Sequence, residues 1–204
     1  MLQLQNDVCK ISITNDSNYS SEQTGAYDRA YHFGDSTYIV SQHAIVCRSS
    51  EGVVYSCVLL GDGGMSAVHA HSAILFENLC LVAVGRHLIA LRLPKLDLVW
   101  STEVDTATCF GIYYSTRHAC FISHGECEIA SVSKRGNIIW WCNGKDIFTN
   151  GFALREDIIE VIDFNDEVYA IEIATGMSTL VTNSSNIKIP SRGWFDQVKQ
   201  WVRQ

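Results

Sequence analysis

A forty-residue period constrains this chain more than any other feature. ALRLPKLDLVW runs from Ala90 to Trp100, ASVSKRGNIIW runs from Ala130 to Trp140, and a third alanine follows at Ala170. Around these positions short apolar runs alternate with polar residues and stop at turn residues, the pattern of strands rather than helices. LCLVAV (79–84), HLIALRL (87–93) and LDLVWSTEV (96–104) break at Gly85–Arg86 and Pro94–Lys95. HACFIS (118–123), CEIASVS (127–133) and NIIWWC (137–142) break at His124–Gly125 and Arg135–Gly136. DIIEVID (157–163), EVYAIEI (167–173) and MSTLVT (177–182) break at Asn165–Asp166 and Thr175–Gly176. A shorter apolar segment precedes each trio: AILFE (73–77), FGIYY (110–114) and GFAL (151–154). Four strands in about forty residues predict a propeller blade.

A more degenerate copy comes first: RAYHF (29–33), TYIVS (37–41), AIVCRS (44–49) and GVVYSCVLL (52–60), with Tyr55 standing where the tryptophans stand. The expected fold is therefore all-β, a small β-propeller of four to five four-stranded blades in a single domain over 1–204, with repeats at about 29–60, 73–105, 110–145 and 151–182. LQLQNDVCKISIT (2–14) and NIKIP (186–190) also read as strands. An N-terminal strand completing a blade begun by the C-terminus would make a fifth blade, because an open ring leaves unpaired edges. A four-bladed ring would instead leave 1–27 as an arm. After Ser191, a good N-cap, Trp194, Phe195, Val198, Trp201 and Val202 recur at helical spacing. This predicts a short C-terminal helix over 191–204, laid on the rim or used for partner binding or dimerisation.

The blade frame resembles the repeat of quinoprotein-type (PQQ-like) β-propellers, in which alanine, glycine and tryptophan occupy positions one, seven and eleven. Ala130, Gly136 and Trp140 match in full; Ala90 and Trp100 match with Leu96 in the glycine place; Ala170 and Gly176 match with Leu180 in the tryptophan place. The resemblance implies a fold in which a small alanine lets sheets approach, glycine allows a φ > 0 turn and tryptophan docks between blades. It covers about residues 73–182. The chain is too short for the larger ring that surrounds a quinone and carries no adjacent cysteine pair, so no cofactor is expected.

With 47% hydrophobic and 18% charged residues, the composition is that of a globular protein. The start of the chain shows no basic segment followed by an apolar core, and no uncharged run approaches the length of a membrane span, so a cytoplasmic protein without membrane contact is expected. Eight cysteines without any CxxC pair read as reduced, buried thiols, as for Cys57, Cys80 and Cys120 in apolar contexts. The net charge of −7 is uneven: residues 151–180 hold seven acids against Arg155 alone, whereas 181–204 carry Lys188, Arg192, Lys199 and Arg203 against Asp196. Such a balance disfavours nucleic acid.

In GDGGMSAVHAHS (61–72), His69 and His71 could begin a metal site if they share a strand face, with Asp62 or Glu77 folding back as a further ligand. The stronger expectation is a loop followed by a strand with surface histidines, and no metal. His118, Cys120, His124 and Cys127 need no catalytic role, since strand alternation accounts for each. No GxSxG, HExxH, Walker or GxGxxG motif occurs. The expected function is a non-enzymatic protein-binding module, in its sharpest form an immunity-type protein that neutralises a basic nuclease toxin. Glu156, Asp157, Asp163, Asp166 and Glu167 would supply charge to a basic partner, and Trp141 an aromatic anchor. The alternatives are a metal-dependent hydrolase or lyase built on His69, His71 and Asp62, and a scaffold dimerising through the C-terminal helix.

Overall fold

A computed structural model describes residues 1–20 and 25–181. The expected helix over 191–204 and the NIKIP strand lie outside these residues. The described residues are all-β: seventeen strands in four sheets. Three sheets are antiparallel meanders in chain order. They comprise β6 (Ala73–Phe76), β7 (Leu79–Val84), β8 (His87–Arg92) and β9 (Asp97–Glu103); β10 (Cys109–Ser115), β11 (Cys120–Gly125), β12 (Glu128–Val132) and β13 (Ile138–Asn143); and β14 (Gly151–Leu154), β15 (Ile158–Ile162), β16 (Val168–Glu172) and β17 (Ser178–Leu180).

The first sheet departs from expectation. It contains β1 (Leu2–Gln5), β2 (Cys9–Asn15), β3 (Arg29–Phe33), β4 (Ser41–Ser49) and β5 (Val54–Gly61), in the order β1-β2-β4-β5-β3. Residues 2–15 thus form the first hairpin of this sheet, neither an arm nor a strand of a composite fifth blade. RAYHF, read as the first strand of a four-strand meander that would lead into TYIVS, lies instead at the edge opposite β1 and pairs parallel to β5. TYIVS is not a strand except at Ser41. The reason is the two-residue alternation itself, which makes a strand visible but does not say which neighbour it pairs with.

Successive sheets stack face to face, as blades do, through three hydrophobic clusters. The first and second sheets bury Ile11, Ile45 and Leu59 against Val82, Ile89 and Leu91. The second and third bury Leu81, Leu88 and Ala90 against Ile112, Phe121 and Ala130. The third and fourth bury Ile122, Ile129 and Cys142 against Ile159, Val161 and Ile171. All eight cysteines are free, and seven of them are buried. Burial pushes the Cys47 and Cys57 thiols up to about 12, keeping them protonated and inert.

The period now acquires a physical meaning. Trp100 leaves the second sheet and lies under Gly136 of the third, where an added Cβ would sit 2.6 Å from the indole Cδ2. Trp140 repeats the contact with Gly176 of the fourth sheet at 2.7 Å, and its Nε1 donates to the Ile173 carbonyl at 2.9 Å. Both glycines have positive φ, +83° and +75°. At the corresponding turn of the second sheet Leu96 adopts φ 58°, and its carbonyl accepts from Tyr31 Oη rather than roofing a tryptophan. The alanines behave differently. Ala90 pairs opposite Trp100, whereas Ala130 pairs opposite Trp141 and Trp140 opposite Ser131. A one-residue slip at the bulge reverses the face, so Ala90 and Ala130 meet across one interface from opposite sides. Ala170 is half-buried on the outward face of the fourth sheet.

Gly136→Ala should therefore cost about 2–3 kcal/mol, combining left-handed strain with collision against a packed indole. Gly52→Ala is the control: φ is +87° there, but nothing lies within 4 Å of the added Cβ. Its cost should stay near 1 kcal/mol. Urea midpoints of the two variants check the difference, and equal losses would remove the tryptophan contact as the cause.

A candidate acidic end of the sheet stack

The turns β7–β8, β11–β12 and β15–β16 emerge at one end of the stack together with the segments that join one sheet to the next. Backbone bonds tie these turns together: Arg86 N donates to Asp62 O, Cys109 N to Gly85 O, Glu126 N to Thr108 O, and Phe164 N to Ile147 O. This end is termed upper and the opposite end lower.

Three buried aspartates organise the upper end. The Asp62 carboxylate accepts the Asp35 amide at 2.8 Å, Arg86 Nε at 2.9 Å and Nη2 at 3.0 Å, and His87 Nε2 at 2.8 Å. Burial alone would raise this carboxyl, but those donors outweigh it and hold Asp62 at about 2. Asp105 accepts four amides, from Ala107, Thr108, Cys127 and Glu128. Asp163 accepts the Asn165 and Glu167 amides and Tyr169 Oη. Each aspartate closes a turn that the strand pattern marks only as a break.

Around them lie Glu103, Glu126, Glu128, Asp146, Asp166 and Glu167. The nearby cations are spent internally: Arg86 pairs with Asp62 and Glu103, and Lys145 with Glu167 at 3.1 Å. The Lys145 bond pulls the Glu167 carboxyl down and keeps it charged. Trp141, 58% exposed, projects from β13 opposite Ala130, two positions along the strand from the Glu128–Asn143 pair. Ile139 on the same strand is also exposed. An exposed tryptophan on the same sheet as an excess of carboxylates over cations offers both an anchor and a field for a basic surface.

The five acids picked out in the sequence do not form one patch. Asp166 and Glu167 belong to the upper end, while Asp163 is fully buried beneath it and serves the turn. Glu156 and Asp157 lie at the lower end in the β14–β15 turn. There Arg117 Nη1 meets Glu156 at 2.6 Å, Arg117 Nε meets Asp157 at 3.0 Å, and His118 meets Asp157 at 3.1 Å. Sequence reasoning passed over Glu103, Glu126, Glu128 and Asp146. Their signal was positional: alternate turns of a meander share an end, so acids in alternate turns add up although they lie far apart in sequence.

His69 and His71 sit in the loop before β6 rather than on a strand. His69 Nε2 donates to the Phe110 carbonyl at 2.5 Å, and Nδ1 accepts the His71 amide at 3.2 Å. Both nitrogens of His69 are committed, Asp62 is held by Arg86 and His87, and Glu77 pairs with Lys134 at 3.6 Å. The arrangement does not fit a metal, and no metal-holding cluster of three side chains occurs among the described residues. The rings instead stack in series: His71 on Tyr113 at 4.8 Å, Tyr113 on Phe152 at 4.5 Å, and Phe152 on His124 at 4.6 Å. Burial lowers the His69 and His124 imidazoles to about 4. Cys120 and Cys127 make no pair with a histidine: His118 bonds Asp157, and His124 Nε2 bonds the Phe148 carbonyl at 3.3 Å.

At the level of fold, the chain resembles β-propellers. No protein-family model matches it, and no curated protein sequence does. Among solved structures, the Neurospora crassa Pan2 WD40 domain is 12% identical with a TM-score of 0.44, covering 53% of this chain and 36% of that one. BamB from Moraxella catarrhalis, which is a PQQ-like β-propeller, is 10% identical with a TM-score of 0.45, covering 66% and 47%. A chain of the Mitotic Checkpoint Complex is 9% identical with a TM-score of 0.48, covering 68% and 46%. The chain spans less than half the length of each of these three structures. No helix among the described residues is long and apolar enough to cross a membrane.

Proposed function

We propose that this chain is a non-enzymatic protein-binding module whose upper end takes a basic protein surface. The observation that carries the reading is the charge balance there: Glu103, Asp146 and Asp166 are exposed and Glu126, Glu128 and Glu167 half-buried, the cations Arg86 and Lys145 are already spent on internal pairs, and exposed Trp141 lies two positions along β13 from the Glu128–Asn143 pair. In its specific form the partner is a basic nuclease toxin, and the chain neutralises it by occupying its anion-binding cleft, as an immunity-type protein. A rigid stack of sheets suits this role because its turns vary freely on a fixed frame. The Asp62, Asp105 and Asp163 networks hold those turns in place before binding, which lowers the ordering cost of association.

Affinity capture from native lysate with the full chain tests the proposal. A basic protein should be recovered at low salt and released as salt rises. Glu126→Lys with Asp146→Lys should weaken capture about tenfold or more, and Trp141→Ala by a similar factor. Recovery that ignores both salt and these variants would sink the reading, as would a captured partner with an acidic surface.

A further inference from the structure

Each packed interface between successive sheets carries an ion pair across its lower end. Arg29 of the first sheet meets Asp97 of the second at 2.9 Å. Glu77 of the second meets Lys134 of the third at 3.6 Å, and Arg117 of the third meets Glu156 and Asp157 of the fourth. The two ends of the stack break this pattern in complementary ways.

On the outward face of the first sheet, Lys10 of β2 and Arg48 of β4 lie directly opposite each other. Like charges so placed repel, and neither has an ion-pair partner among the described residues. They border an open hollow of about 440 Å³ with Gln3, Gln5, Ser12 and Val46. The upper part of the same face is closed, with Ala44, Val58 and Leu60 buried, whereas Val46 is 39% exposed. On the outward face of the fourth sheet, Ile158 and Glu172 form the matching cross-strand pair, also on the second and third meander strands and also at the lower end. Ile158 is 41% exposed, Glu172 faces no cation among the described residues, and Val168 above them is nearly buried. The three hydrophobic clusters join first to second, second to third and third to fourth sheets, and none joins the fourth to the first.

We infer that the outward face of the fourth sheet docks on the outward face of the first sheet of a second copy of this chain, with Glu172 meeting Arg48 and Lys10. Stacking order fixes the orientation, since a face that continues the stack keeps upper end with upper end and second strand beside second strand. Glu172 then falls opposite Arg48, and Ile158 fills the hollow beside Val46. The contact is heterologous, using two different patches, and a pair of such contacts closes two four-sheet stacks into one ring. It also relieves the Lys10–Arg48 repulsion, which the single chain leaves uncompensated. The acidic upper end is untouched, so this assembly stands or falls independently of the proposed partner.

Sedimentation of the full chain across micromolar concentrations, with variants at these exposed positions, decides it. The wild-type protein should run at twice the 22.8 kDa of one chain. Arg48→Glu and Glu172→Arg should each weaken association about tenfold or more. The same chain carrying both substitutions should regain it, because the charges are exchanged rather than lost. A cooperative thermal transition and an unchanged far-ultraviolet circular dichroism spectrum in the monomeric variants exclude misfolding. A wild-type monomer at every concentration overturns the inference. A dimer indifferent to either reversal, or one that the double variant does not restore, overturns it as well.

Discussion

Acidification from pH 6.5 to pH 4 should lower the stability of this protein steeply and unfold it cooperatively. Burial depresses three imidazoles in the stack. His43 is fully buried, with Nε2 on the Ser66 carbonyl at 3.2 Å; His69 bonds Phe110; and His124 lies between Phe110 and Phe152. Burial lowers all three to about 4, against 6.5 in the unfolded chain. Between these values the unfolded state binds protons that the folded state refuses, so stability rises with pH and is lost as pH falls through the window. Each histidine contributes about 3 kcal/mol by pH 4. Their sum is comparable with the whole stability of a domain, about 5–15 kcal/mol. His71, also lowered by burial, adds to the loss.

Two carboxylates bear on the same curve. Burial raises Asp105 to about 6 despite its four amide donors, so it offsets part of the loss as pH falls from 6 towards 4. Asp62, held at about 2, loses its contribution only below the histidine window. Three histidines against one aspartate leave a net fall on acidification. Urea midpoints at pH 7 and pH 4.5, with the m-value checked for constancy, give the answer. A midpoint that does not move would mean that water or a rearranged loop reaches the imidazoles. His124→Gln should flatten the slope by roughly a third, since it removes one of the three titrating groups.

The parts that repeat were legible in the sequence and the parts that do not were hidden. Strands β6 to β17 follow from alternation and turn residues, because a two-residue period with one face in a cluster leaves little freedom of register. The glycines of the period were legible as φ > 0 turns. That Gly136 also roofs Trp100 was not, because the two residues are 36 positions apart and belong to different sheets. The first sheet misled for a related reason. RAYHF has the alternation of a strand, yet it skips β4, the next strand along the chain, to pair parallel to β5, and no local signal encodes that partner. At the site, the acids of 151–180 read as one patch because they are close along the chain. The meander sends Asp157 and Asp166 to opposite ends of a blade and puts Glu126 at the same end as Asp166 instead. Asp163 shows the limit of reading charge from composition, since a carboxylate with two amides and a tyrosine hydroxyl upon it is a structural brace.

Asp62→Ala should be the most damaging single substitution at the upper end, costing about 3–5 kcal/mol. The carboxylate is nearly inaccessible, and it satisfies the Asp35 amide, two Arg86 nitrogens and His87 Nε2 at once. Its removal leaves a partly buried guanidinium, a buried imidazole and the Asp35 amide without their acceptor, and breaking such a pair from one side is worse than never building it. The geometry leaves little room for repair. A Cβ on Gly34 would lie 2.1 Å from the Asp62 carboxylate, and one on Gly85 would lie 2.0 Å from the Asp62 carbonyl oxygen, so two glycine turns are closed tightly around this residue. Asp62→Asn separates charge from shape: it keeps one acceptor oxygen but sets an NH2 against either Arg86 or the Asp35 amide, and should recover only about half of the loss. The reverse ordering, or a cost below about 1 kcal/mol for alanine, would place Asp62 with the surface pairs that contribute little. The turn that Arg86 and His87 begin carries the backbone bond from Cys109 to Gly85, so loosening it should also uncouple the second sheet from the third. Amide hydrogen exchange should then show Cys109 and Arg86 losing protection in Asp62→Ala while Ile159 and Ile171 in the fourth sheet keep theirs.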